Sequence, residues 1–270
     1  MPRVAICAPS RAITEDVAAR VLALASDYPG LELSFHPQCF LSKGHFAGSD
    51  AQRQDAFLDC ANNPAFDAVW AARGGYGAVR VIGDLLPRLG ASAAGKAYLA
   101  YSDGGTVLAA LYSRGIGQPV HAPMPADVMR EGGEQAVRRA LSYLSGDRSG
   151  LEPSLDDMPV AAFNLMTLAM LCGTPLMPDL RGHVVMVEEI SEHFYAVDRL
   201  FFHVTAHLYG IAGLRLGRVG DVPENDIDFG LNAEQIARHW CGKAGIVYLG
   251  AADIGHDVAN KIVPFGLAGR

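Results

Sequence analysis

Apolar residues along the first 145 positions alternate between two periods, and that alternation predicts the architecture. Residues 4–7 form a continuous apolar run, the mark of a buried strand. Ile13, Val17, Val21 and Leu24 then recur at helical spacing, with Thr14 and Glu15 near the start. The same switch repeats along the chain: a strand over 31–35, a helix over 51–61, a strand over 68–72, a helix over 78–86 and a strand over 97–101. Val107, Leu108 and Leu111 mark one further helical face, and 133–144 forms another helix. Strands and helices in this rhythm predict a parallel sheet covered on both faces.

The pattern fades after Ser145. Ser, Gly, Asp, Pro and Glu take over, which predicts a linker over 146–160 between an N-terminal domain of residues 1–145 and a second domain of residues 161–270. Beyond the linker, apolar spacing predicts a helix over 164–171 ended by Gly173-Thr174-Pro175, a strand over 184–187 and a helix over 197–209. A strand over 214–219, a helix over 233–240 and a strand over 246–250 follow, giving a smaller α/β domain.

With 270 residues, half of them apolar, the chain has material for one large or two modest cores, and 30 Gly with 15 Pro suit many tight loops. The net charge of −7 is spread without long like-charge runs. It leaves no basic footprint for nucleic acid or an anionic membrane and favours a small soluble substrate. The N-terminus is too short in apolar residues for a signal-peptide core and no later run reaches bilayer length, so the chain reads as cytoplasmic. Cys7, Cys39, Cys60, Cys172 and Cys241 are odd in number and scattered, which argues against a disulfide framework or zinc knuckle.

Two segments could carry chemistry. In Ala97-Tyr98-Leu99-Ala100-Tyr101-Ser102-Asp103-Gly104-Gly105-Thr106 a strand meets a sharp turn and a helix begins at once. That geometry lifts the Ser102 hydroxyl above the sheet and aims the Asp103 N–H at any oxyanion formed there. The same serine would also serve as a helix N-cap. In Arg73-Gly74-Gly75-Tyr76-Gly77, just after a strand, adjacent glycines allow close backbone approach to an oxyanion or carboxylate, or make a simple tight turn. The spacing fits neither a dinucleotide fingerprint nor a P-loop.

A serine nucleophile needs a base and the base an orienting acid. Of nine histidines, His256 lies in a loop directly after a predicted strand, where catalytic side chains are presented. His203 and His207 have metal-ligand spacing, but without an accompanying HExxH they read as one helix face. Glu188 and Glu189 end a strand, and adjacent strand residues face opposite ways, so one of them points into a given cleft.

Together these blocks resemble the LD-carboxypeptidase family, peptidase family S66, which includes the microcin self-immunity proteins. The resemblance runs from Val4-Ala5-Ile6-Cys7-Ala8-Pro9-Ser10 through Arg73-Gly74-Gly75-Tyr76-Gly77, Tyr101-Ser102-Asp103 and His121-Ala122-Pro123-Met124. It continues through Asn164-Leu165 with Gly173-Thr174-Pro175, then Val187-Glu188-Glu189-Ile190-Ser191-Glu192 with Tyr195 and Asp198-Arg199, and closes on Gly255-His256 and Val263-Pro264-Phe265-Gly266. It implies Ser102 as nucleophile, Glu188 as orienting acid and His256 as base, with the Asp103 N–H and Gly74 or Gly75 as oxyanion hole.

By the same resemblance the substrate is a murein tetrapeptide, cut at its L-to-D bond to release D-alanine in cell-wall recycling. The resemblance implies no metal or organic cofactor. A flavodoxin-like N-terminal domain, a smaller swivelling α/β C-terminal domain and a homodimer are implied. Tyr101 and Arg73 are the candidate substrate-binding residues; bidentate Arg73 suits a carboxylate, and a structural salt bridge is the other reading.

Ala100, Ala122 and Ala162-Phe163 replace family glycines near the expected cleft, with the capacity to narrow or reshape it. Rival readings are a microcin-type peptide-nucleotide hydrolase, an α/β-hydrolase esterase with the same residue order, and a non-catalytic peptide-binding module.

Overall fold

The computed structural model describes residues 1–267 and contains two sheets. The first runs in the order β2 (Glu32–Phe35), β1 (Arg3–Cys7), β3 (Ala68–Ala71), β4 (Ala97–Ala100), β5 (Gln118–His121) and β10 (Val263–Pro264). All neighbours pair in parallel except β10, which joins β5 antiparallel. The 2-1-3-4-5 order is flavodoxin-like, and it reverses direction between β1 and β3, leaving a crevice at the carboxyl ends of those strands. The second sheet is wholly parallel, in the order β6 (Val160–Asn164), β7 (Val184–Ile190), β8 (Gly213–Gly220), β9 (Tyr248–Ala251).

Side-chain alternation along β1 divides the first core in two. Val4 and Ile6 pack with α1 (Glu15–Ala25) and α5 (Gly133–Leu144), while Ala5 and Cys7 face α2 (Asp50–Asn62), α3 (Val79–Leu85) and α4 (Gly105–Ser113). Helix ends follow local chemistry: Thr14 accepts the Val17 N–H, and Ser49 with Gln52 forms a capping box. The second of these cores continues without a break into the second sheet, where α6 (Leu165–Leu171), α7 (Phe194–Thr205) and α8 (Ala233–Ala244) pack in sequence.

Phe163 on β6 sits at that junction, fully buried, its ring 5.2 Å from Phe265. Ala100, Ala122 and Ala162 are buried as well. The expected effect of these four positions on the cleft is therefore corrected: they fill the core and none lines the cleft around Ser102. Phe163→Ala is expected to cost about 3–5 kcal/mol of unfolding free energy. Urea denaturation measures it, and a loss below about 1 kcal/mol would show that the two sheets do not depend on this ring.

Three strands depart from the sequence expectation. β5 contains Pro119, which normally argues against an interior strand. Its missing N–H faces the β10 side, where the Pro119 carbonyl still accepts the Phe265 N–H at 2.9 Å. β6 begins at Val160, the last residue of the expected linker, and the polar stretch before it is fastened down: buried Glu152 accepts the Asp253 N–H at 3.0 Å. β10 returns the chain end to the first sheet. The last three residues of the expected second domain, 268–270, lie outside the described residues. No helix among the described residues is long and apolar enough to cross a membrane.

Candidate active site

The crevice between β1 and β3 opens into a cleft of about 790 Å³ bordered by Arg11, Arg73, Gly74, Tyr101, Ser102 and His256. Ser102 stands where β4 gives way to a single 3-10 turn (Ser102–Gly104) and then α4. Its φ of +59° lies in the left-handed region that a non-glycine residue rarely occupies, as a sharply bent strand-to-helix turn demands. The turn is tight enough that a Cβ on Gly104 would come within 2.7 Å of the Ala100 Cβ. With Ala at 100, position 104 has to be glycine.

His256 reaches this turn from the loop after β9. Its Nε2 lies 3.0 Å from Ser102 Oγ and its Nδ1 2.7 Å from Glu188 Oε2. Glu188 is fully buried near the end of β7. Glu189 turns the other way and caps α6, accepting from Asn164 Nδ2 and the Met166 N–H, both at 2.7 Å. Of the two acids, Glu188 is the one that faces His256. Burial disfavours the His256 imidazolium, but the hydrogen bond and charge of Glu188 outweigh it and raise its pKa above the usual histidine value. A serine hydroxyl against an imidazole held by a buried carboxylate can pass its proton to Nε2 as the oxygen attacks an electrophile.

Gly74 lies directly against the serine, since a Cβ there would stand 3.0 Å from Ser102 Oγ. Gly75, one residue on, packs against the Arg11 side chain. The Asp103 amide sits in the first turn of a helical segment, where backbone N–H groups lack helical acceptors. Its carboxylate is buried and structural: Oδ2 accepts from Ser10 Oγ at 2.5 Å and from the Ala78 N–H at 2.9 Å, tying the loop after β1 and the start of α3 to the serine turn.

Arg73 is half-buried on the cleft wall and forms no ion pair or hydrogen bond among the described residues. Burial, with repulsion from Arg11 and Arg130, lowers its pKa from the ordinary arginine value. Tyr101 borders the cleft through its ring, which packs 4.8 Å from the His256 ring. Its hydroxyl is already committed to Asp127 Oδ1 at 2.8 Å, so the residue walls the histidine rather than offering a free polar group.

Two family models match this chain in order: the LD-carboxypeptidase N-terminal domain over residues 4–122 and the LD-carboxypeptidase C-terminal domain over residues 159–270. The chain belongs to the LD-carboxypeptidase family. Its relatives include the murein tetrapeptide carboxypeptidase of Pseudomonas aeruginosa, 24% identical over 294 residues that cover 98% of this chain and 91% of the relative. Among solved structures, the muramoyltetrapeptide carboxypeptidase from Oxalobacter formigenes superposes with a TM-score of 0.80 at 24% identity, covering 97% of this chain and 93% of the other. The microcin C7 self-immunity protein MccF in complex with aspartyl sulfamoyl adenosine shares the fold at a TM-score of 0.78 and 17% identity, covering 98% and 91%.

Several supports of this carboxypeptidase-family site had no sequence signal. Arg130 donates to the His256 carbonyl at 2.6 Å and pairs with Asp127 at 3.2 Å. Arg218 on β8 bridges Asp253 and Asp257, fastening the loop on both sides of His256. Buried Asn260 joins the Gly255 N–H to His121. Burial lowers the His121 pKa and keeps that imidazole neutral. The Arg130–His256, Arg218 and His121–Asn260 contacts join segments distant in sequence, so no local pattern marks them.

Proposed function

We propose that the protein is a serine-type LD-carboxypeptidase that releases the terminal D-alanine from murein tetrapeptides. The observation that carries this reading is the hydrogen-bonded chain Ser102–His256–Glu188 at the switch-point crevice of a chain in this family. His256 takes the Ser102 proton as Oγ attacks the scissile carbonyl, and Glu188 holds the imidazole with Nε2 free to accept. The Asp103 amide, with an amide of the Gly74–Gly75 turn, stabilises the tetrahedral oxyanion. His256 then protonates the leaving D-alanine amine, and water releases the acyl group from Ser102. The expected role is cell-wall recycling.

A carboxypeptidase substrate carries a free carboxylate by definition, and Arg73, with Arg11 beside it, supplies positive charge on the cleft wall. Losing a hydrogen bond to a charged group costs about 1.5–3 kcal/mol, so Arg73→Ala is expected to lower kcat/KM roughly 10- to 100-fold. A steady-state comparison checks this, and unchanged kinetics would return Arg73 to a packing role.

The reading as a whole is tested by offering three substrates: the tetrapeptide, its terminal L-alanine diastereomer and its terminal carboxamide. Hydrolysis of the first alone is expected. Equal cleavage of the diastereomer, or faster turnover of simple aryl esters than of any peptide, would instead favour the esterase reading.

A further inference from the structure

Helix α7 ends in a pair of imidazoles that the Ser102 site leaves without a task. His203 lies on its last turn and His207 one turn further on, their ring centroids 4.6 Å apart. Helix α6 packs alongside, and Cys172 forms its C-cap, held there by its N–H to the Leu168 carbonyl at 3.2 Å. The Cys172 thiol and one nitrogen from each histidine lie within 4.8 Å of one another, the one such group among the described residues. We propose that Cys172, His203 and His207 bind a divalent transition-metal ion of the zinc class, with a fourth position left to water.

The donor set decides the ion. One thiolate with two imidazoles suits zinc, cobalt, nickel or copper and is a poor match for magnesium or calcium, which take oxygen ligands. The His207 Nδ1 lies 2.9 Å from the His203 carbonyl, so that nitrogen carries the proton and Nε2 keeps the lone pair a metal needs. Neither the His203 ring nor the Cys172 sulfur has a hydrogen-bond partner among the described residues.

Zinc bond lengths near 2.0–2.3 Å in a tetrahedron place ligand atoms about 3.3–3.7 Å apart. The ligand atoms, within 4.8 Å of one another, need to approach by no more than about 1.5 Å, which is within the reach of side-chain rotation. The HExxH signature is absent, but it concerns two ligands on one helix and says nothing about this arrangement, whose third ligand comes from another helix.

A bound ion would staple α6 to α7. Helix α6 also touches the nucleophile turn, through the Thr167 hydroxyl to the Ser102 carbonyl at 3.3 Å. The metal would thus stiffen the second sheet's support of that turn while touching no reacting atom.

The test is cobalt titration of the reduced, chelator-treated full chain, followed by absorption spectroscopy. One equivalent is expected to give a thiolate-to-cobalt charge-transfer band and the strong visible bands of tetrahedral cobalt, both bleached by zinc. Cys172→Ser is expected to lose the charge-transfer band, and exposed His207→Gln to weaken apparent affinity at least tenfold. Zinc is expected to raise the wild-type melting temperature and not that of Cys172→Ser. Cooperative melting of both variants confirms that they fold. A wild type without the band, a band that survives in Cys172→Ser, or unchanged affinity in His207→Gln overturns the proposal. Ser102→Ala leaves these ligands intact, so its cobalt spectrum stays that of the wild type whatever the peptide assay shows.

Discussion

Replacing Ser102 with alanine is expected to lower kcat/KM for the tetrapeptide by roughly 10,000- to 1,000,000-fold, the scale seen when a peptidase loses its nucleophile. The change deletes one oxygen. It removes the atom that His256 Nε2 faces at 3.0 Å, together with any covalent route through an acyl-enzyme. It leaves the turn's frame in place, because Gly104 and the Asp103 bonds to Ser10 and Ala78 do not involve the hydroxyl. Substrate affinity should therefore survive. Alanine also relieves no strain, since the +59° backbone angle disfavours it as it does serine. A variant with tenfold lower activity or less would remove Ser102 from the reaction, and the oxyanion-hole assignment would fall with it.

Glu188→Gln carries the second largest effect, about 10,000-fold in kcat. The fully buried carboxylate accepts from His256 Nδ1 and fixes the tautomer with Nε2 free. An amide can present its N–H to Nδ1 instead, which moves the proton to Nε2 and leaves nothing to accept the Ser102 proton.

The pH profile separates this from a general loss of structure. His256 works as a base only when neutral, and Glu188 holds its pKa above the ordinary value near 6.5. The acid limb of wild-type kcat/KM is thus expected above that pH. Removing the charge lets burial dominate, lowers the pKa and shifts the limb of the residual activity to lower pH. A limb that stays in place would show that Glu188 does not govern His256.

Much of this site is legible in the sequence, because its chemistry sits at punctuated positions. Ser102 stands at a strand-to-helix turn, Gly74 and Gly75 follow a strand, and His256 lies in a post-strand loop; family spacing then singled out Glu188. What stayed hidden belongs to contacts between distant segments. Arg130, Asp127 and Arg218 position the His256 loop from elements distant from it in sequence, and Asn260 ties that loop to His121 on β5.

In the fold, the alternating runs were legible, while β5 was masked by Pro119 and β10 is only two residues long. The run at 160–164 was hidden by the polar stretch before it, which reads as a tether although Glu152 pins it. Ala100, Ala122, Ala162 and Phe163 show the same limit from the other side. A substitution's distance from a motif in sequence does not tell whether its side chain enters the cleft or the core.

Cleavage of the terminal L-to-D bond of a murein tetrapeptide by Ser102 is tested by mass spectrometry of that peptide after incubation with wild type and with Ser102→Ala. Loss of a single alanine residue is expected with the wild type alone. An intact peptide in both samples, or equal conversion by the variant, would contradict it.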